Sequence, residues 1–131
     1  MAAAQAFSKL PQPHGHTFKF VFVSGFVTVP DQNANTWFYS EARKVAGQAE
    51  NMVVAFAQEK EKAQFDSFVV RPARVLEKDR GVFASCVRRI SPYAVGIEEV
   101  AAVLVDLAIN GSNKTIWENR DLQSRGEELA K

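Results

Sequence analysis

The sequence predicts an α/β domain of parallel strands with helices on both faces, and three observations carry that prediction. Short runs of aromatic and β-branched residues recur along the chain, at "FKFVFV", "FDSFVV" and "KTIWEN". Between them lie segments of helical period, in which apolar residues return every three or four positions. No two-residue hairpin signal joins consecutive runs, so the strands connect by crossovers and run parallel. Right-handed crossovers then send the helices to the two faces of the sheet.

In chain order, residues 2–10 form a short helical piece. Pro11 and Pro13 stop it in a loop over 10–17 that also holds His14, Gly15 and His16. Residues 18–23 combine Phe and Val with only Lys19 interrupting, the pattern of a strand covered on both faces. Ser24 and Gly25 end it. A loop of turn formers follows, and Asn35 or Thr36 is the expected N-cap of a long helix. In that helix Ala42, Val45, Ala46, Ala49, Met52, Val53, Phe56 and Ala57 form the expected inward face, with Arg43, Lys44, Glu50 and Gln58 outward. "FDSFVVRP" is the next strand, closed by Pro72. A helix is expected near 81–89, and another from Ile97 with Val100, Val103, Leu104, Leu107 and Ala108 on its stripe and Gly111 as C-cap. "KTIWEN" is a short strand, and an amphipathic terminal helix with Leu122 and Leu129 on its apolar side completes a single domain over 1–131.

Composition narrows the function classes. With 16 basic and 15 acidic residues the chain carries no field that would by itself recruit nucleic acid or an anionic membrane. The apolar runs are too short to span a bilayer. Cys86 is the only cysteine, which excludes an internal disulfide and a thiolate zinc site and fits a reducing compartment. The opening "MAAAQAFSKLPQPHGH" lacks the charged region and long apolar stretch of a secretory signal, so a cytoplasmic protein is expected. His14 and His16 have no acidic or thiol partner nearby in the sequence to complete a metal set.

The order of the pieces resembles a known family. A strand ending in "VSG", a long helix with "AGQAEN", a strand running into "VVRPARVL", and then "IEEVAAVLVDLAINGSNKTIWEN" resemble the C-terminal half of atypical or extended short-chain dehydrogenases, NAD(P)-binding proteins related to nucleotide-sugar epimerases. The resemblance covers nearly the whole chain. It implies a partial Rossmann-like parallel sheet of about three to four strands, NAD or NADP as cofactor, and a small metabolite as substrate for oxidoreductase or epimerase chemistry. The glycine-rich phosphate turn of that family is not found among these residues: Gly15, Gly25, Gly47, Gly81, Gly96, Gly111 and Gly126 are too far apart for it. Cofactor binding is therefore expected to be impaired or dependent on a partner. The strand "FKFVFV", interior in the complete family fold, is expected to be an apolar edge here, covered by a second copy or a partner subunit over Phe18–Val23.

The resemblance also suggests site residues. Ser24, after the first strand, takes the place of the serine that orients the substrate oxygen, while a Ser-Gly pair is equally a common strand end. Tyr39 and Lys44 carry the residue types of the family's Tyr and Lys, but they are five apart where the family spacing is four. At about 100° per residue a step of four leaves side chains about 40° apart, and a step of five about 140°. Arg43 stands at the right distance from Tyr39, with a planar fork in place of an ammonium. In a second register, which matches "AGQAEN" to a lysine followed by Gly-x-x-Glu, the dyad positions fall on Ala42 and Ala46. Arg71, Pro72 and Ala73 match the loop beside the nicotinamide, Trp37 is a candidate for lining a substrate pocket or capping the core, and Asn119, with Arg120 after it, lies on the ligand-binding side of the last strand. The expected function is a shortened NAD(P)-binding dehydrogenase-like protein; the alternatives are a noncatalytic binding or oligomerisation module of the same fold, or an incomplete gene product.

Overall fold

The computed structural model describes residues 2–10, 16–26, 40–60, 64–77, 91 and 93–129. They form helix α1 (Ala2–Phe7), strand β1 (Phe18–Val23), helix α2 (Ser40–Glu59), strands β2 (Phe65–Arg71), β3 (Arg74–Leu76) and β4 (Ala94–Gly96), helix α3 (Ile97–Asn110), strand β5 (Ile116–Glu118) and helix α4 (Asn119–Leu129). β1, β2 and β5 make one parallel sheet in that spatial order, with Phe18 opposite Phe65, Val23 opposite Val70 and Arg71 opposite Glu118. The protein is thus an α/β fold with a three-stranded parallel sheet, as the alternation of periods predicts. The helix expected over 81–89, Cys86, His14, Trp37, Tyr39 and the N-cap at Asn35 or Thr36 lie outside the described residues.

β2 is central because its run of β-formers is apolar towards both faces. One face sends Phe65 against Phe56 of α2 and Ala4 of α1, with the Phe65 ring 5.3 Å from Phe56 and 5.6 Å from Phe18. The other sends Phe68 and Val70 against Val95, Val100, Val103, Leu107 and Leu122, so α3 and α4 cover that side. Alternation along a strand sends residues 65 and 68 to opposite sides, which places helices on both faces of the sheet. Pro72 ends β2, and two residues on the chain starts β3, which pairs in parallel with β4 as a separate two-stranded ribbon. At three residues each, these strands are too short to show a period in the sequence.

α2 is turned differently from the expected stripe. Glu50 is 2% exposed whereas Val45 is 63% exposed, and Ala42 and Met52 also face out. The cause lies beneath the helix: Arg71 emerges from the sheet end there and draws Glu50 inward, and Gly47 and Val53, three positions either side, are buried with it. α3 starts at Gly96, whose amide donates to Glu99 Oε2 at 2.8 Å, and ends at Gly111, whose φ of 71° suits a residue without Cβ and whose amide donates to Leu107 O. Lys19 Nζ reaches Ile109 O at 3.1 Å, a cation at a helix C-terminus. No helix among the described residues is long and apolar enough to cross a membrane.

Candidate functional site

Parallel α/β sheets bind ligands beyond the C-terminal ends of their strands, because the connecting loops and the helix N-termini converge there. In this sheet those ends carry Ser24 and Gly25 after β1, Arg71, Pro72 and Ala73 at the end of β2, and Glu118 and Asn119 at the end of β5. Five residues singled out in the sequence, Ser24, Arg71, Pro72, Ala73 and Asn119, are therefore brought to one edge. Arg43 is on the first turn of α2 and half-buried.

Backbone bonds hold the three strand ends together. The Ser24 amide donates to Val70 O at 2.8 Å and the Phe26 amide to Pro72 O at 3.1 Å. The Ala73 amide donates to Asn119 Oδ1 at 2.8 Å, and Asn119 Nδ2 donates to Ala94 O at 3.2 Å. Asn119 is fully buried, and its amide ties the turn after β2 to β4. Gln123, one turn further along α4, donates to Ala94 O and Ser91 O and reinforces the same joint.

The charged centre of the edge is Arg71. Its Nε lies 3.1 Å from both Glu50 carboxylate oxygens, its Nη2 also donates to Glu50, and its Nη1 donates to Glu118 Oε1 at 2.8 Å. The Arg71 side chain is 13% exposed and Glu118 46%, so the triad runs from a dry interior at Glu50 to water at Glu118. Hydrogen bonding to Glu50 first, and the two neighbouring carboxylates together, hold the guanidinium pKa above its usual value against the opposing effect of burial. One cation between two anions gives the triad itself one excess negative charge. Arg71 directs Nε, Nη1 and Nη2 to carboxylates of the protein itself, whereas the open side of Glu118 can accept hydrogen bonds from hydroxyl or amide donors of a ligand.

Glu50 and Glu118 are the site residues that sequence reasoning missed. The signal for Glu50 was present: in the register that puts Ala46 at the family's lysine position, the Gly-x-x-Glu pattern ends on Glu50. Glu118 is adjacent to the Asn119 that was singled out.

Hollows lined by described residues lie elsewhere. A shallow one of about 430 Å³, at the N-terminal end of the strands, is lined by Thr17, Lys19, Asp66 and the turn after α3. A smaller one of about 240 Å³ between α2 and β2 is lined by Val54, Lys60, Ser67 and Thr115. Neither collects the polar groups that converge at the C-terminal edge. Among the described residues, no group of three His, Cys, Asp or Glu side chains is placed to hold a metal ion. In comparisons with known proteins, no family model, curated protein or solved structure matches the chain.

Proposed function

We propose that this chain is a shortened short-chain-dehydrogenase-type protein that holds the nucleoside end of NAD(P) and a small hydroxylated substrate at the C-terminal edge of its sheet, with phosphate binding completed by residues outside these 131. The observation that carries it is the convergence of Ser24, Pro72, Ala73 and Glu118 on that edge, braced by the Glu50–Arg71–Glu118 triad. A half-exposed carboxylate beside small residues fits a ribose hydroxyl pair better than a phosphate. The pyrophosphate does not fit these residues, because no glycine-rich turn is present and Arg71 is already neutralised. When bound, the nicotinamide would supply hydride chemistry. The protein's own contribution would be to orient the ribose through Glu118 and to leave room at Ala73 and Ser24 for the ring and the substrate oxygen.

A noncatalytic module of the same fold is the second reading. It is favoured by the burial and pairing of Glu50 with Arg71, which fits the register that leaves alanines, Ala42 and Ala46, at the dyad positions.

Titration of the purified chain with NADPH and with NADH, following nicotinamide fluorescence, separates the two. Weak saturable binding, with Kd of roughly 1 mM, is expected, and Ala73→Trp should abolish it by filling the space beside the edge. A response that never saturates would eliminate the first reading and leave the second.

A further inference from the structure

We propose that β1 is the central seam of a homodimer, in which two copies pair antiparallel along the outer edges of their β1 strands about a two-fold axis at Val21. The pairing does not depend on nucleotide binding, so failure of either proposal can be told from failure of the other.

The direction of the backbone groups defines the edge. Phe18 and Ser24 donate their amides to Gln64 O and Val70 O of the β2 segment, so the even-numbered residues of β1 bond inward. Lys19, Val21 and Val23 therefore turn their N–H and C=O groups outward, and β1 is terminal in the sheet, with no strand beside it among the described residues. An apolar edge of this kind is a template for another strand.

The sequence of the edge favours its own copy. Read in either direction from Val21, "KFVFV" places Phe20 opposite the second copy's Phe22, Val21 opposite Val21, and Lys19 opposite Val23. Antiparallel pairing in this register juxtaposes no like charges. It exchanges both hydrogen bonds at each outward pair and sets aromatic side chains across the seam. Lys19 is also drawn back to Ile109 O, away from the position in which an edge lysine blocks pairing.

The helix over β1 extends the same surface. α3 packs on β1, and on one side it faces α4, where Asp106 meets Arg125 at 2.9 Å. At about 100° per residue, Ile97, Ala101, Leu104 and Ala108 lie on the side of α3 opposite Asp106. Of these, Ile97, Ala101 and Ala108 are exposed. A two-fold axis through Val21 brings this apolar flank alongside its own copy, enlarging a strand contact that is too small by itself towards the roughly 1,200–2,000 Å² of a stable interface.

Sedimentation equilibrium on the wild-type chain and two variants at Val23, a 49% exposed position, tests the seam. The wild type is expected to be a dimer. Val23→Lys sets two ammonium groups against each other at both ends of the seam and should raise the dimer dissociation constant roughly tenfold. Val23→Glu sets a carboxylate against Lys19 and should hold or tighten the dimer. Unchanged far-ultraviolet circular dichroism would show that both variants fold. A monomeric wild type would overturn the proposal, and so would a dimer that both variants weaken equally.

Discussion

Arg71 and its two carboxylates differ in what their loss would cost. Glu50 is buried, so Glu50→Ala leaves a largely buried guanidinium short of its main partner, and a loss of about 3–5 kcal/mol in urea unfolding is expected. Glu118 is half in water, and Glu118→Gln should cost less than about 1 kcal/mol while weakening any nucleotide signal. Ser67 presents the opposite case: its Oγ is buried with no hydrogen-bond partner among the described residues. Ser67→Ala removes an unsatisfied group and should raise stability by about 1 kcal/mol in the same assay. Asp106 gives the pH dependence. The Asn110 side chain first, and then Arg125, hold its carboxyl below the ordinary carboxylate range. A depressed folded-state value stabilises the protein above the unfolded pKa of about 4, and that stabilisation is lost as pH falls through the folded value. The stability difference between wild type and Asp106→Asn should therefore be constant near neutrality and shrink below about pH 4.

At the scale of elements, helix packing rests on close approaches. A Cβ built on Gly126 would lie 2.5 Å from Glu99 Cβ and 2.7 Å from Glu99 Cα, so α4 meets α3 there with no space for a methyl group. Gly126→Ala must push the helices apart, and a loss of about 1–3 kcal/mol in thermal or urea unfolding is expected. Most elements were legible because long periodic segments give strong signals: β1, β2, α3 and its Gly111 cap follow from residue types alone. The orientation of α2 was not legible. Its apolar residues outnumber what the sheet can cover, and a tertiary pair, Glu50 with Arg71, decided which side turned inward. β3 and β4 escaped for a different reason, since three-residue strands are set by their partner rather than by their own sequence.

For the molecule as a whole, alternating periods were enough to predict a parallel α/β sheet, and the placement of Ser24, Arg71, Pro72, Ala73 and Asn119 at one edge follows from that topology. The chemistry of the edge was harder to read. An arginine in a sequence does not reveal whether its charge is free for a ligand or consumed by carboxylates far along the chain, such as Glu50 and Glu118. Asn119 similarly looks like a ligand-facing amide until its bonds to Ala73 and Ala94 are seen. The most direct measurement is an NMR titration of the isotopically labelled chain with NADPH. The expected result is saturable shifts confined to the amides of Ser24, Gly25, Ala73 and Glu118. The absence of saturable shifts, or shifts clustered at the opposite edge around Lys19, Asp66 and Gly111, would contradict nucleoside binding at the C-terminal edge of this sheet.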